Sequence, residues 1–366
     1  MSMRVLLITG SYSPMRCGIG DYSCKLAEAL SAAGVQVGVL TSVFDGKLKE
    51  ADGIKVFSVI KQWQFKEWPK VVRIIRDWDP DIVHIQYPTQ GYGNGLLPWM
   101  LPLISFLMRK EAVQTWHEGY GRRNAFKLLL KSIIPTSLVI VRSQYRDCLH
   151  PMLRWSLWNK KIEFIPSASC IPCAKPDEQE RELLRKRYLK KQKRLIVFFG
   201  FVYPHKGVEL LFEIADPALD QIVIAGAIDR KAKDYLDKIT RYAAVEPWTE
   251  KVTITDFLPA QEIAELLAAA DAVILPFRNG GGDWNTSIHG AVLNGVFVIT
   301  TSLTQRGYDQ KSNVYFAKID DIQGMRSALS TYAGKRRKHD PVIDRDEWSR
   351  IAGRHRLLYE KVLSLK

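Results

Sequence analysis

The chain has 366 residues, more than one typical domain, so we expect two domains. Hydrophobic residues make up 46% and charged residues 25%, which excludes a disordered chain, a collagen-like repeat and a disulfide scaffold. The net charge of +14 favours a polyanionic partner: nucleic acid, anionic lipid or a phosphorylated small molecule.

The compartment is predicted from three features. The 5 cysteines suit a reducing environment. The first ten residues pass into a strand-like run without the pattern of a secretory signal. The longest apolar stretch, 96–108, is shorter than the roughly 20 residues that span a bilayer. We therefore expect a cytoplasmic protein, with peripheral contact to the inner face of the plasma membrane as an open option.

Short apolar runs alternate with segments of helical periodicity in the first half of the chain. The predicted strands are Val5–Thr9, Val35–Thr41, Ile82–Gln86, Val113–His117, Leu138–Arg142 and Ile162–Pro166, and two of the predicted helices are Tyr22–Ala33 and Trp68–Trp78. Strand and helix in alternation predict a parallel sheet with helical crossovers, which is a doubly wound α/β domain.

The second half repeats this pattern after a charged segment, Ala174–Arg194, that is expected to hold an exposed helix. The predicted strands are Leu195–Gly200, Gln221–Ala225, Val252–Thr255, Ala272–Pro276 and Val296–Thr300. We predict two Rossmann-like α/β domains, 1–168 and 169–345, that face each other across a central cleft. The amphipathic segment 346–366 is predicted to be a C-terminal helix that closes the second domain or crosses back onto the first.

Ligands of such domains bind at the carboxyl ends of the strands, so the loops that follow the strands are the candidate sites. In the first domain the loop Gly10–Ser23 opens the first helix, where Gly18 and Gly20 would expose backbone N–H groups to an anion. A dinucleotide fingerprint would require glycine at the position of Ser23. An ordinary turn and helix cap therefore remains an alternative.

Two further strands of this domain end in polar residues. His84 and Gln86 lie on one of them, and His117 and Glu118 end the next. A single histidine near a strand end is more often a structural hydrogen-bonding group than a catalyst. His117 gains weight because its strand is predicted to point to the same sheet edge as the Gly18–Gly20 loop.

Two loops of the second domain have residues suited to a phosphate. Lys206 and Gly207 follow the first strand, and a lysine beside glycine can reach a phosphate while the backbone approaches closely. The loop from Pro276 carries Gly280–Gly282 and then Thr286 and Ser287, which would begin the next helix. A solvated lysine and a flexible surface loop are the alternatives.

Taken together, these loops resemble glycosyltransferase family 4, the retaining, sugar-nucleotide-dependent enzymes of the GT-B fold. The resemblance rests on seven segments in the family's order, each weak alone. They are Cys17-Gly-Ile-Gly-Asp-Tyr22, His84-Ile-Gln-Tyr87, Thr115-Trp-His-Glu118, Ile165-Pro-Ser-Ala-Ser169, Gly200 through Gly207, Ala270-Asp-Ala-Val-Ile-Leu-Pro276 and Gly295-Val-Phe-Val-Ile-Thr300.

The resemblance implies roles for individual residues. His117 matches the histidine near the transferred sugar, and Lys206 matches the basic residue that holds the donor diphosphate; both are the predicted catalytic residues. Gly18, Gly20, Thr286 and Ser287 match backbone that approaches the diphosphate. The resemblance further implies a donor-sugar loop with Gly282 and Asp283, and an acceptor side with Asp21, Gln86 and Glu118 in an acceptor-binding first domain.

The chain departs from the family pattern at two places. The family often carries two glutamates separated by seven residues, and Gly282 and Gly290 stand at those positions here. The second glutamate commonly holds the nucleotide ribose, so that contact is left unassigned. An arginine common before the lysine is also missing, with Phe201 and Tyr203 at the corresponding places.

The function implied is retaining transfer of a hexose from a nucleoside diphosphate sugar to a glycan or lipid-linked sugar in polysaccharide biosynthesis. A UDP-sugar, with glucose first, is the expected donor, and GDP-mannose is the second choice. No Asp-x-Asp cluster is present, so no metal or other cofactor is expected. The alternatives are a homologue that binds a sugar nucleotide or membrane glycan with weak or no turnover and, from its charge alone, a polyanion-binding protein; a nucleic-acid partner is not expected.

An anionic membrane surface is a further candidate partner. Arg122, Arg123, Lys127 and Lys131 are interleaved with apolar residues, as in a basic amphipathic helix on anionic lipid. Trp63, Phe65 and Trp68 lie among lysines in a second aromatic and basic segment. A core-facing helix and a loop are equally compatible with these patterns.

Overall fold

The structure is a computed structural model that describes residues 2–49, 51–118, 129, 134, 136–143, 145, 149–158, 160–226, 232–338 and 346–364. The chain divides into two compact units. The first unit contains Met1–Ser167 and Asp346–Lys366, and the second contains Ala168–Arg345. The domain limits expected from the sequence were 168/169 and 345/346.

The first unit is built on a parallel sheet of seven strands in the order β3-β2-β1-β4-β5-β6-β7. The strands are β1 (Arg4–Ile8), β2 (Gln36–Ser42), β3 (Ile54–Ile60), β4 (Ile82–Tyr87), β5 (Glu111–Trp116), β6 (Ser137–Ile140) and β7 (Ile162–Phe164). The described helices are α1 (Gly18–Ala32), α2 (Trp68–Trp78), α3 (Leu97–Leu107), α4 (Pro151–Ser156) and the C-terminal α11 (Glu347–Leu363). The prediction of a doubly wound α/β domain is confirmed.

One strand of this unit was not predicted, and the structure decides the course of the C-terminal helix. Strand β3 was not predicted, because most of its residues are half-buried at the sheet edge and its polar Lys55 and Ser58 interrupt the apolar run. Helix α11 lies against α1, and its buried Tyr359 is hydrogen-bonded to His84 of β4. Of the two courses open to the C-terminal helix, it takes the one onto the first unit.

The second unit has a seven-stranded sheet in the order β10-β9-β8-β11-β12-β14-β13. The strands are β8 (Arg194–Phe199), β9 (Asp220–Ala225), β10 (Val252–Thr255), β11 (Ala272–Leu275), β12 (Phe297–Thr301), β13 (Gly307–Asp309) and β14 (Val314–Ala317). The described helices are α5 (Glu178–Lys186), α6 (Leu211–Ile214), α7 (Lys233–Ala244), α8 (Ala260–Ala269), α9 (Thr286–Leu293) and α10 (Ile322–Tyr332).

One edge of the second sheet is antiparallel. Strands β13 and β14 form a hairpin that the sequence did not predict, and β13 pairs antiparallel with β14. The strands have only 3 and 4 residues, too few for their alternation to stand out from a loop. The rest of the sheet is parallel, and the predicted Rossmann-like fold of the second domain is confirmed.

Strand order places the candidate loops in each unit. In the first unit β1 lies between β2 and β4, and in the second unit β8 lies between β9 and β11. At such a switch point the loops that follow the two neighbouring strands leave in opposite directions and open a crevice at the carboxyl ends.

Among the helices of the described residues, none is long and apolar enough to cross a membrane.

Candidate functional site

In the first unit, the loops that follow β1 and β4 are bound to each other. The Gly10 N–H donates to Thr89 Oγ1 at 2.9 Å, and the Gly91 N–H donates to Ser11 Oγ at 2.9 Å. A Cβ atom on Gly91 would lie 1.7 Å from the carbonyl oxygen of Gly10, so only glycine permits this approach. These contacts fix the backbone that leads into α1.

Helix α1 begins at Gly18, and no side chain caps it. Among the described residues, the structure gives no acceptor to the N–H groups of Gly18, Ile19 and Gly20, as expected for a first helical turn. A Cβ atom on Gly18 would meet no atom within 4 Å, whereas one on Gly20 would press on the backbone of Ser11 at 3.1 Å. Gly18 is therefore accessible, and Gly20 is needed for packing.

Asp21 follows in the same helical turn and is half-buried. Burial raises the pKa of its carboxyl group to about 6, against the opposing effects of the Ser13 hydroxyl and of Lys49 and Lys25. Lys49 is itself paired with Glu28 at 2.5 Å. The carboxyl group thus changes its charge near neutral pH, beside the open backbone of Gly18.

Four polar side chains on β4 and at the end of β5 form a continuous hydrogen-bonded row. His117 Nε2 lies 3.0 Å from Gln86 Oε1, and Gln86 Nε2 lies 3.2 Å from His84 Nε2. His84 Nε2 is also 2.7 Å from Thr115 Oγ1, and its Nδ1 is 2.6 Å from the hydroxyl of Tyr359 on α11. The row therefore connects the candidate catalytic histidine to the C-terminal helix.

The histidines around this row are held neutral. Burial, with a smaller effect of His355, lowers the pKa of His117 to about 3. Burial also lowers the pKa of His355 to about 4 and holds the pKa of His84 well below its ordinary value. At pH 7 the His117 ring is therefore an uncharged hydrogen-bonding group. Its edge-to-face contact with Tyr22, at 4.7 Å between centroids, fixes the ring plane.

Glu118 is exposed and directly follows His117. The structure brings Gln86 to His117 and leaves Glu118 in solvent.

The glycines 119 and 121 after Glu118 lie outside the described residues, as do Arg122, Arg123, Lys127 and Lys131 of the predicted membrane helix. In the second predicted membrane segment Trp63 is buried and donates its indole N–H to Ser42 Oγ at 2.8 Å, so it is not part of a surface patch.

In the second unit, Lys206 lies in the loop after β8, which contacts the loop after β11. The Arg278 N–H donates to the carbonyl oxygen of His205 at 3.0 Å. The ammonium group of Lys206 lies over the ring of Phe277, 4.5 Å from its centroid. Gly207 has a positive φ of 67°, and a Cβ atom there would lie 2.4 Å from the carbonyl oxygen of Pro276.

An ion-pair network fixes these two loops. Glu209 is buried and accepts hydrogen bonds from Arg278 at 2.9 Å and from the hydroxyl of Tyr235. Burial alone would raise the pKa of this carboxyl group, but these two donors hold it below its usual value. Arg278 also donates to Asp320 at 2.8 Å. The arginine that follows β11 is therefore tied on both sides, which stabilises the backbone beside Lys206.

The glycine loop after Arg278 leads into the first turn of α9. A Cβ atom on Gly281 would lie 3.0 Å or less from Phe277, Ile288 and Thr300, so the loop packs closely. The Gly282 N–H donates to Asn285 Oδ1 at 2.9 Å. Helix α9 starts at Thr286 without a side-chain cap, and the described residues provide no acceptor for the N–H groups of Thr286 and Ser287.

Asp283 is half-buried, and its carboxylate Oδ1 has no hydrogen-bond partner in the described part of the chain. Its carbonyl oxygen accepts a hydrogen bond from His289 Nε2 at 2.9 Å. The backbone around Asp283 is therefore held, while the side chain is not.

The position of the second expected glutamate is closely packed. Gly290 is buried in α9, and a Cβ atom there would lie 3.2 Å from Ser169 Oγ and 3.3 Å from the side chain of Ile171. A glutamate at this position would therefore have to displace Ser169 and Ile171. Phe201 and Tyr203, which replace the expected arginine, stack at 5.8 Å, and Tyr203 stacks on His205 at 5.5 Å.

The sequence interpretation missed the residues that surround His117. His84 was noted without a role, and Thr115, Tyr359 and His355 were not assigned to a site. One signal was present, because His84 and Gln86 are polar residues two apart in an otherwise apolar strand and must share a face.

Among the described residues, no group of three or more His, Cys, Asp or Glu side chains could hold a metal ion.

Comparison with known proteins identifies the family. Residues 17–156 match the model for Glycosyltransferase Family 4, and residues 193–333 match the model for Glycosyl transferases group 1. A GDP-mannose-dependent alpha-mannosyltransferase of Mycobacterium tuberculosis is 24% identical over 257 residues, which cover 62% of this chain. The match spans 64% of that protein, less than two thirds of its length.

Solved structures share the fold over the full length. Sucrose-phosphate synthase from Thermosynechococcus elongatus superimposes with a TM-score of 0.72 at 16% identity and 100% coverage of both chains. Alr3699/HepE from Anabaena, in complex with UDP and glucose, has a TM-score of 0.67 at 14% identity, with 99% of this chain and 95% of that chain covered. The two family models together span most of both Rossmann-like domains, and the chain therefore belongs to the group 1 glycosyltransferases of family 4.

Proposed function

We propose that this glycosyltransferase moves a hexose from a nucleoside diphosphate sugar to a hydroxyl group of a glycan or lipid-linked acceptor, with retention of configuration and without a metal. The observation that carries the proposal is the arrangement in the second unit, where Lys206 and the free first-turn N–H groups of α9 belong to loops in direct contact. Backbone N–H groups at a helix N-terminus and a nearby ammonium group stabilise a diphosphate.

The chemistry follows from the charge that develops on the donor. As the bond between C1 and the diphosphate oxygen breaks, negative charge collects on the leaving diphosphate, and preorganised N–H groups and Lys206 stabilise it. The acceptor hydroxyl attacks C1 on the same face and transfers its proton to the departing phosphate oxygen. The products are a nucleoside diphosphate and a glycoside. His117 is the proposed neutral hydrogen-bonding group for the transferred sugar.

Two donors are candidates. UDP-glucose is the donor expected from the sequence, and Alr3699/HepE, which has the same fold, is bound to UDP and glucose. GDP-mannose is favoured by the alpha-mannosyltransferase relatives, which are the matches found by sequence. The experiment below distinguishes the uridine from the guanosine nucleotide.

The proposed experiment is a calorimetric titration with UDP, GDP and ADP in EDTA and then in Mg²⁺, followed by assay of nucleoside diphosphate release from UDP-glucose and GDP-mannose. We expect one diphosphate to bind in EDTA. Lys206→Ala should weaken this binding by about 10- to 100-fold, since a charged hydrogen bond contributes roughly 1.5–3 kcal/mol. Lys190→Ala removes the same charge from an exposed lysine before β8, at the amino ends of the strands, and should leave the affinity unchanged.

A homologue that binds a sugar nucleotide without turnover is the second candidate, favoured by the closed surroundings of Gly290 and by the aromatic residues that replace the arginine. Binding of one diphosphate with no sugar transfer or hydrolysis would select it. Failure of all three diphosphates to bind, or equal losses in Lys206→Ala and Lys190→Ala, would contradict the transferase proposal.

Contact with an anionic membrane is proposed from a surface of the first unit. Trp155 and Trp158 are 80% and 86% exposed, and Arg154, Lys160 and Lys161 adjoin them in sequence. Indole rings beside basic side chains favour the headgroup region of anionic lipid.

This proposal predicts that the chain sediments with phosphatidylglycerol vesicles and not with phosphatidylcholine vesicles. The double variant Trp155→Ser with Trp158→Ser should remain in the supernatant. Leu183→Ser, which changes an exposed leucine of α5 in the second unit, should sediment like the unaltered chain. A chain that stays soluble with both vesicles would refute the proposal.

A further inference from the structure

The hydrogen-bonded row around His117 assigns the protons on its rings. The amide oxygen of Gln86 faces His117 Nε2 at 3.0 Å, and because this oxygen can only accept, His117 Nε2–H is the donor in this orientation of the amide. The amide N–H of Gln86 then points to His84 Nε2 at 3.2 Å, and the Thr115 hydroxyl lies nearer at 2.7 Å, so these two donors share the one lone pair of that nitrogen. His84 carries its proton on Nδ1 and donates it to the Tyr359 hydroxyl at 2.6 Å.

This assignment gives every contact of the row a donor and an acceptor, with the lone pair of His84 Nε2 shared by two donors. Turning the Gln86 amide over would place its N–H against the Nε2 of His117 and its oxygen against the Nε2 of His84. His84 Nε2 would then have to donate to the amide oxygen, and the Tyr359 hydroxyl would have to donate to a bare Nδ1 in turn. The whole row reverses together or not at all, so the orientation of one amide is coupled to the tautomers of two histidines.

Most side chains of the row are fully buried. His84, Gln86, Thr115 and Tyr359 are each 0% exposed. His84 and Gln86 are two residues apart on β4, and Thr115 and His117 are two residues apart at the end of β5, so all four share one face of the sheet. Helix α11 packs on this face through Tyr359, and an unpaired amide buried there would be destabilising.

We infer that Gln86, held by His84 and through it by Tyr359 of α11, is a positioning residue that keeps the proton of His117 on Nε2, so that Nδ1 accepts a hydrogen bond from a hydroxyl of the transferred sugar. The part of this inference that concerns the sugar rests on the proposed function. The part that concerns the tautomer does not, and it can be measured on the protein without substrate.

The first test is NMR of the full chain labelled with ¹⁵N-histidine, in which ring-nitrogen shifts distinguish a protonated from a bare nitrogen. Loss of one ring signal in His117→Gln identifies His117. At pH 7 we expect His117 to carry its proton on Nε2 with Nδ1 bare. A proton on Nδ1, or a mixture of tautomers, would overturn the inference.

Gln86→Leu removes the amide and should give a mixture of His117 tautomers. The matched control is Gln114→Leu, because Gln114 is also 0% exposed, lies on β5 and contacts Thr136 and Trp116. The control should leave the His117 signals unchanged. If both variants shift them equally, the effect is general loosening of the unit and Gln86 has no special role.

Gln86→Glu keeps an acceptor for His117 and provides a second test should the leucine variant not fold. A carboxylate in contact raises the pKa of a histidine by about 1–3 units. Among the residues that the structure describes, the ionisable groups that face His117 are Tyr22 of α1, His84 of β4 and His355 of α11. Since the pKa of His117 is about 3 in the unaltered chain, it should lie between about 4 and 6 in the variant, so the midpoint of the His117 titration should rise. An unchanged midpoint would contradict the contact.

Kinetics separate positioning from folding. Gln86→Leu should lower kcat about 10- to 100-fold, since misplacement of a catalytic group by about 1 Å costs that much, with little change in the KM for the donor. Normal kcat in a variant whose tautomer is lost would overturn the positioning role. If the unaltered chain transfers no sugar, the proposed function fails, and the NMR result still decides the tautomer.

Discussion

Gly18 and Gly207 follow the first strand of their respective units, but they are glycines for different reasons. Gly207 has a positive φ of 67° and would place a Cβ atom 2.4 Å from the Pro276 carbonyl oxygen, so the fold requires glycine there. Gly18 is the first residue of α1, and a Cβ atom there would meet nothing within 4 Å. The fold does not explain glycine at position 18, whereas close approach of a ligand would.

This contrast predicts opposite effects of two alanine substitutions. Gly207→Ala should destabilise the protein by more than about 1 kcal/mol and lower Tm. Gly18→Ala should leave Tm unchanged or slightly raised, because alanine is the better helix former by about 1 kcal/mol. Under the proposed function Gly18→Ala should nevertheless weaken binding of the sugar nucleotide. Full affinity in Gly18→Ala would show that the ligand does not approach this turn.

At the scale of elements, helix α9 shows how packing limits the chemistry of its face. Gly290 lies in the middle of the helix, opposite Ser169 and Ile171 of the segment that enters the second unit. Asn294, one turn later, donates to the carbonyl oxygen of Pro172 at 3.0 Å and accepts from the Ala174 N–H at 2.8 Å. The segment 169–174 is therefore fastened along α9, where the side chain of a glutamate would otherwise extend.

Gly290→Glu puts back the glutamate that is common in the family, but it is not expected to strengthen nucleotide binding. The new side chain would displace Ser169 and Ile171, with a cost of roughly 1–3 kcal/mol as for other overpacked sites. Thermal unfolding should show a lower Tm, and titration with UDP or GDP should show no gain in affinity. Ser327→Glu, an exposed change on α10, serves as the control for added charge. Tighter nucleotide binding by Gly290→Glu at unchanged Tm would contradict this account.

For the whole molecule, the buried histidines of the first unit couple stability to pH. The pKa of His355 falls from 6.5 to about 4 and that of His117 to about 3, so the folded protein keeps both rings neutral where the unfolded chain is protonated. The two histidines therefore do not reduce the free energy of unfolding above pH 6.5, and they lower it progressively as the pH falls below that value. Asp21 acts in the opposite direction, because its folded pKa of about 6 exceeds the ordinary aspartate value of 3.8.

The contribution of one histidine can be isolated. Between pH 7 and pH 5 the shift of His355 should remove about 2 kcal/mol from the free energy of unfolding. His355→Leu lacks the titrating ring, so its free energy of unfolding should fall by about 2 kcal/mol less over the same interval. Urea unfolding at the two pH values, followed by tryptophan fluorescence, measures the difference. Equal losses in both proteins would mean that His355 is not buried and neutral.

The sequence by itself determined the class of the fold, most of the strands and the loops that carry the candidate site. Apolar periodicity is local, and strand, turn glycine and helix start are each specified within about ten residues of chain. Lys206, Gly18 and Thr286 could therefore be placed at the ends of strands from their neighbours alone. The weakly patterned strands β3, β13 and β14 were not predicted for the same reason, since little in their local sequence distinguishes them from loops.

Only the tertiary structure decided which side chains meet. Gln86 and His117 are 31 residues apart, and His84 and Tyr359 are 275 apart, so no local pattern relates them. Their contact depends on the pairing of β4 with β5 and on the course of α11 back to the first unit. Likewise, the close packing beside Gly290 depends on a segment some 120 residues earlier in the chain. Long-range packing sets these contacts, and with them the tautomer, charge and accessibility on which the proposed chemistry depends.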